Sequence, residues 1–394
     1  MPWRTQLQSE HDDRKRNRLW RTRPMIGSPQ GRTLEIDGQT YLNFCSNDYL
    51  GLANDARVNS VVAEAVLTAG TGSGASHLVC GHSSQHHELE LQLASFVDAE
   101  KAVVFSTGYM ANLAIPQTFL KRGDLVLQDK LNHASLIDAG RYCEATMKRY
   151  PHSDVERVDT LLAKLDADKK MVITDGVFSM DGDSAEIERL QTITSRHGAV
   201  LVVDDAHGFG VLGETGAGSL EAAKIRPSQN VLMVGTFGKS VGGMGAFVAG
   251  DACYIESLVQ HARSYIYTTA LPPGVVAGVS ESVRIIEEEP QRRLDLIRNI
   301  SHFRNWICEL GLPLSDSRSP IQPLVLGSAS AALKASQTLR EQGIWVTAIR
   351  PPTVPAGSAR LRITLTSKHR LEDIDQLASV LGSEAIRESI KEAP

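Results

Sequence analysis

Six short apolar runs restrict the fold of this chain more than any other feature. They lie at 102–105, 125–127, 171–174, 200–203, 231–234 and 246–249. Each is too short for a helix, and the segments between several of them return apolar residues at helical spacing. Val155, Val158, Leu161, Leu162 and Leu165 mark one such amphipathic helix, and Val58, Val61, Val62 and Val66 mark another at 56–69. Strands that are apolar throughout, without alternation, are buried on both faces. The pattern therefore predicts an α/β fold, a mostly parallel sheet with helices on either side. Such sheets bind ligands beyond the carboxyl ends of their strands, so those ends are where chemistry is expected.

After Pro272-Pro273 the pattern changes. A charge-rich helical region at about 275–310 contains Glu287-Glu288-Glu289 and Arg292-Arg293. It precedes strands at 321–326, 345–348 and 360–365, with helices at 332–342 and 371–381, which predicts a smaller α+β unit. At the other end, residues 1 to about 25 read as a polar helix, and 32–42 as a hairpin turning at Asp37-Gly38. The expected organisation is an N-terminal segment 1–45, a large domain 46–280 and a C-terminal α+β domain 281–394.

A net charge of −5, with 42% apolar and 22% charged residues, fits a soluble globular protein and argues against nucleic-acid or membrane-surface binding. The basic run from Arg14 to Arg23 is diluted by Glu10, Asp12 and Asp13, and no apolar core follows it, so a secretory leader is not expected. The most apolar window, 231–250, is interrupted by Lys239 and six glycines, against a membrane span. Five scattered cysteines without a C-x-x-C pair point to a reducing cytoplasm. No metal site is expected, because His86 and His87 are adjacent rather than one helical turn apart.

The polar residues that end the apolar runs are chemically able. After 102–105 comes Ser106-Thr107-Gly108-Tyr109 opening a helix, where free N–H groups can hold a phosphate. After 125–127 comes Asn132-His133, and after 171–174 the segment from Asp175 to Asp183. After 200–203 comes Asp204-Asp205-Ala206-His207, and after 231–234 Gly235-Thr236-Phe237-Gly238-Lys239. Lys239 is the one charge between 230 and 250, and is expected to sit where little water reaches. Burial lowers an ammonium pKa and provides a nucleophilic amine, the setting for a Schiff base with a carbonyl substrate or with pyridoxal phosphate (PLP). Taken singly, each residue is better explained as a helix cap, a turn residue or a snorkelling lysine. Taken together they suit a phosphorylated ring whose nitrogen faces one of the two acids, which would stabilise the ring as an electron sink. A nicotinamide cofactor is disfavoured, since no G-x-G-x-x-G follows the first strand.

Asp204-Asp205-Ala206-His207-Gly208, Thr236-Phe237-Gly238-Lys239 and Phe178-Ser179-Met180-Asp181-Gly182-Asp183 resemble the α-oxoamine synthases. These are fold-type I PLP enzymes that condense an amino acid with an acyl thioester and release CO2. The likeness runs from about 19 to 381. It includes Asn43-Phe44-Cys45-Ser46-Asn47-Asp48-Tyr49-Leu50-Gly51-Leu52, Gly72-Ser73-Gly74-Ala75-Ser76-His77 and Ala348-Ile349-Arg350-Pro351-Pro352-Thr353-Val354-Pro355-Ala356-Gly357.

The resemblance implies a seven-stranded sheet and a set of roles. Lys239 is the Schiff-base lysine and the base for the substrate Cα proton. Asp204 pairs with the pyridinium nitrogen, His207 and Ser179 lie by the ring 3-oxygen, and His133 stacks on the ring. Gly108, Tyr109 and Thr236 hold the phosphate, and Thr269 completes that site from a partner subunit, which implies a homodimer. Arg362, with Arg360 as competitor, forks the amino-acid carboxylate, and Asn47 assists. Arg21 and Thr353 line the acyl site. The block from Ala348 to Gly357 points to the branch that joins L-alanine to a pimeloyl thioester, carried on coenzyme A or acyl carrier protein. Glycine or serine donors with acetyl, succinyl or palmitoyl groups are the alternatives within the family. A catalytically silent partner subunit would lack the lysine. Three departures from the family pattern stand out: the run from Ser240 to Gly245, Phe209 where Thr is usual, and Cys80 where Ser is usual.

Overall fold

Seven strands carry the larger of two units in a computed structural model, which describes residues 2–17, 19–313 and 315–391. That unit comprises residues 47–179 and 183–295. Its strands are β1 (Lys101–Phe105), β2 (Leu125–Asp129), β3 (Thr146–Tyr150), β4 (Lys170–Asp175), β5 (Val200–Asp204), β6 (Val231–Thr236) and β7 (Ala246–Gly250). Their order is β1-β7-β6-β5-β4-β2-β3, and only β7 runs antiparallel to its neighbours.

Every residue of β2 and β7 is buried, as apolar runs without alternation require. Val103, Phe105, Val126, Ile173, Val202, Leu232, Val234 and Val248 pack with Ala114 and Ile115 of helix Gly108–Phe119 into one core. Each fully buried valine, leucine or phenylalanine of this kind stabilises the fold by about 1.5–3 kcal/mol. The seventh strand, β3, is missing from the apolar pattern for a physical reason. It lies at the sheet edge and exposes Thr146, Lys148 and Arg149, and charged residues on an edge oppose pairing with another chain.

Other boundaries shift. Pro290 divides the long helical region into Pro273–Glu288 and Pro290–Glu309. Proline has no N–H to continue a helix but is tolerated in its first turn. A helix at Ala252–His261 was not anticipated, and His77–Gly81 forms a π-helical turn inside the glycine-rich 70–81 segment.

The other unit comprises residues 1–46, 180–182 and 296–394. The polar N-terminal helix spans only Pro2–Arg16, so Arg21 lies beyond it, in no regular element. Hairpin Thr33–Ile36 and Gln39–Asn43 gains a third strand, Ile344–Trp345. Thr347–Ile349 then pairs in a second sheet with Ala359–Thr364, which also pairs with Ile321–Gly327. The single strand expected at 345–348 is therefore two short ones that change sheet at Val346. Among the described residues, no helix is long and apolar enough to cross a membrane.

Candidate active site

The carboxyl end of β5 carries two consecutive acids with opposite surroundings. Asp204, 4% exposed, accepts Asn112 Nδ2–H at 2.6 Å on Oδ2 and Ala206 N–H at 3.0 Å on Oδ1. Asp205 instead accepts from Ser219, through its N–H at 2.6 Å and its hydroxyl. Burial, opposed by those Ser219 bonds, pushes the Asp205 pKa up to about 7, with the Asp204 charge adding to the rise. Asp205 is thus tied into the turn leading to the Ser219 segment. Asp204 is held by a side-chain amide from helix Gly108–Phe119, which fixes its orientation.

His207, 5% exposed, places Nδ1 2.7 Å from the Tyr49 hydroxyl, which lies 3.2 Å from Asn47 Oδ1. Tyr49 is fully buried. Its one proton decides the tautomer: if given to His207 Nδ1, the histidine offers Nε2–H as a donor. His133 caps helix Ala134–Tyr142, its Nδ1 meeting the Ser135 hydroxyl at 2.7 Å, and its N–H donates to Asp175 Oδ2 at 2.7 Å. Desolvation lowers the His133 pKa even though solvent still reaches the side chain; Asp204 opposes this and Lys239 adds to it. Burial raises the Asp175 pKa well above the ordinary carboxyl range, and Asp204 on the adjoining strand adds to the rise.

Lys239 stands three residues beyond β6 and is half-buried, less enclosed than its apolar neighbours suggested. Its charge is felt at His133, Asp175 and Asp205, so it shares their surroundings. The loop is held by Gly242 N–H donating to Lys239 O at 2.9 Å and Gly243 N–H donating to Phe237 O at 2.7 Å. Gly242 has φ 72°, and a Cβ there would fall 2.3 Å from Ala53 N, so no side chain fits. Two of the family departures meet here: the buried Ser240 hydroxyl donates to the Phe209 carbonyl.

Thr236 ends β6 with a buried Oγ1 that has no hydrogen-bond partner. An unmet buried hydroxyl is costly, so it signals a missing partner. The start of helix Gly108–Phe119 presses against it, since a Cβ on Gly108 would lie 2.6 Å from Thr236 Cγ2. Thr107 takes the Met110 N–H, and the first helical N–H groups, those of Gly108 and Tyr109, have no partner within the helix. An unpartnered hydroxyl beside a helix start is suited to a phosphate. The phosphate end and the ring end thus fit PLP. Ser179 is half-buried in a turn closed by Phe178 N–H to Asp183 O at 2.9 Å. Thr269 is exposed, and its carbonyl accepts the Ser106 hydroxyl of its own chain at 3.2 Å.

Four candidates belong to the other unit. Arg360 and Arg362 share one face of strand Ala359–Thr364, and both are buried. Arg360 donates to Asp181 Oδ1 at 2.5 Å, Met180 O at 3.0 Å and Ser358 O at 3.0 Å. Arg362 carries enough charge toward Cys45 to oppose the rise that burial imposes on that thiol. Thr353 and Arg21 are exposed. Sequence reasoning assigned no role to Asn112, Tyr49, Ser135 or Asp175. A buried Asn among Ala111, Ala114 and Ile115 was the signal available for the first.

The sequence matches aminotransferase class I and II over residues 39–381. The chain belongs to this family. It is 50% identical over 370 residues to an 8-amino-7-oxononanoate synthase from Cellvibrio japonicus, covering 94% of this chain and 93% of that one. Its structure overlays a serine palmitoyltransferase from S. paucimobilis with a bound PLP–myriocin aldimine at TM-score 0.91, with 30% identity and 97% of both chains covered. An 8-amino-7-oxononanoate synthase from Francisella tularensis overlays at 0.77, with 31% identity, covering 88% of this chain and 98% of that one. As a member of the aminotransferase family, the chain has the α/β fold of a PLP-dependent transferase of fold type I.

Proposed function

We propose that this chain catalyses the 8-amino-7-oxononanoate synthase reaction of biotin biosynthesis, the PLP-dependent condensation of L-alanine with a pimeloyl thioester and loss of CO2. Half-identity to a synthase of that name along nearly the whole of both chains carries the substrate choice. The better overlay on a serine palmitoyltransferase reports the fold, which the family shares. Substrate choice depends on side chains, and identity samples those.

Bound PLP supplies a carbonyl carbon for the amino group and a ring that accepts the electron pair left at the substrate Cα. The remaining work falls to this chain's residues. Lys239 Nζ would hold the cofactor covalently and would serve as the base for the substrate Cα proton. Asp204, oriented by Asn112, keeps the ring nitrogen protonated. His207 would offer Nε2–H toward the ring 3-oxygen when the Tyr49 hydroxyl donates a hydrogen bond to its Nδ1, with Ser179 on the same oxygen. His133 would stack on the ring. Gly108 and Tyr109 N–H groups and Thr236 Oγ1 take the phosphate, completed by Thr269 of a second copy in a homodimer.

Arg362 forks the alanine carboxylate, a task for a planar bidentate donor. Arg360, whose guanidinium donates to Asp181 Oδ1 and Met180 O, is the competing candidate. Asn47 assists, and Arg21 and Thr353 meet the pimeloyl chain, delivered on coenzyme A or an acyl carrier protein in the cytoplasm. The test is CO2 and thiol release across alanine, glycine and serine, each with pimeloyl, acetyl, succinyl and palmitoyl thioesters on either carrier. Alanine with pimeloyl is expected to give the highest kcat/KM. Serine with palmitoyl giving the highest would overturn this assignment and establish the serine palmitoyltransferase alternative.

A further inference from the structure

We propose that His82, His87 and Glu90 form a site for a divalent ion of the zinc class, at the sheet edge away from Lys239. One ligand atom from each of the three lies within 4.8 Å of the other two. His87 and Glu90 stand three apart on helix Ser84–Phe96 and so share a face, while His82 comes from the turn before it. The i, i+4 spacing test misses such a site because one ligand lies outside the helix. Zinc bonds of about 2.1 Å need ligand atoms about 3.4 Å apart. Closing the gap takes rotation of His82 and His87, and both are exposed.

The surroundings are already arranged for coordination. A pocket of about 280 Å³ is lined by these three residues together with Lys101, Glu256 and Tyr265. Glu90 Oε1 accepts the Val104 N–H at 3.0 Å, which fixes the carboxylate and leaves Oε2 for a metal. His82 Nδ1 lies 2.9 Å from His77 Nδ1, so donation to His77 leaves His82 Nε2 with its lone pair toward an ion. His77 is itself stacked on Tyr265, with ring centroids 4.7 Å apart. Ligating histidines and carboxylates characteristically carry such outer hydrogen bonds. His86 is no ligand, because Ser83 and Leu271 O occupy its two nitrogens.

Two imidazoles and one carboxylate select a borderline ion such as zinc, with water in the fourth position. The set is too poor in oxygen for magnesium or calcium and lacks the thiolate that copper(I) prefers. The pocket rests on Lys101, Ala102 and Val103 at the start of edge strand β1, whereas the phosphate turn follows the end of that strand. A bound ion would join the turn carrying His82 to the helix carrying His87.

The test is equilibrium dialysis of metal-stripped holoenzyme against zinc chloride, with thermal melts alongside. The expected result is one zinc per chain, bound at least about tenfold more weakly by the His82→Ala/His87→Ala double variant and by Glu90→Gln, which keeps an acceptor for Val104 N–H. Zinc should raise the Tm of the wild-type chain and leave that of the double variant unmoved. Cys80→Ser should bind as the wild type does. Equal zinc affinity in the double variant, no uptake by the wild type, or loss of binding in Cys80→Ser would each overturn the assignment.

Discussion

The two ends of the candidate site are finished to different degrees. At the ring end, Asp204, His207 and His133 each meet a partner within the chain: Asn112, Tyr49 and Ser135 respectively. At the phosphate end, Thr236 Oγ1 is buried with no partner beside a helix start. The difference follows from what each end must do. Ring chemistry depends on proton positions, which have to be set before the substrate arrives. A phosphate brings its own charge and acceptors, so the protein need only hold donors in place. The ring end should therefore govern turnover, and the phosphate end affinity.

Variants along the site can break that division. The largest effect is expected from Lys239→Ala, which removes both the covalent link and the base and should lower kcat at least ~10⁴-fold. PLP should remain bound without covalent attachment, as dialysis and absorbance would show. Asn112→Ala comes next. Losing a hydrogen bond to a charged group costs about 1.5–3 kcal/mol, or ~10–100-fold in kcat, with PLP affinity changed far less. Tyr49→Phe should lower kcat by ~3–10-fold, the worth of a neutral hydrogen bond, and should shift the pH–rate profile.

At the other end, Thr236→Val should weaken PLP binding ~3–10-fold while leaving kcat at saturating PLP within about twofold. It also separates the two states of the protein. Without PLP the variant loses an unmet hydroxyl and should melt no lower than wild type; with PLP it should melt lower. A kcat loss in Thr236→Val equal to that in Asn112→Ala would erase the distinction between the ends.

The smallest expected effect lies near the ring end without belonging to it. Burial alone would lower the His152 pKa, but hydrogen bonds to Asp129 (3.1 Å) and Asp183 (2.8 Å) outweigh it and push it up to about 10. A histidine whose folded pKa lies above its ordinary value of about 6.5 stabilises fully below that value and loses the contribution as pH rises toward 10. Melting temperature should therefore fall more steeply over that range in the wild type than in His152→Gln. Parallel curves would show that the pair contributes nothing measurable.

Much of this was legible in the sequence because strand ends are local. Apolar runs located six of the seven sheet strands, and the residues just beyond them include Lys239, Asp204, His207 and His133. What was not legible depends on distant parts of the chain. Asn112 reaches Asp204 from 92 residues away, and Tyr49 reaches His207 from 158. Strand β3 hid because an edge strand need not be apolar. Arg360 and Arg362 share the same strand parity, so no pattern separates them, and the Asp181 that engages Arg360 lies 179 residues away. The helix predicted through residue 25 overran because polarity alone does not say where a helix ends; the helix stops at Arg16, before Arg21.

The central claim is that Lys239 holds PLP at the junction of these two ends. Borohydride reduction of the holoenzyme, followed by proteolysis and mass mapping, tests it most directly. The account predicts loss of the visible absorption band and a pyridoxyl adduct on the peptide containing Lys239. An adduct on any other lysine, or a chain that takes up no PLP with Lys239 intact, would contradict it.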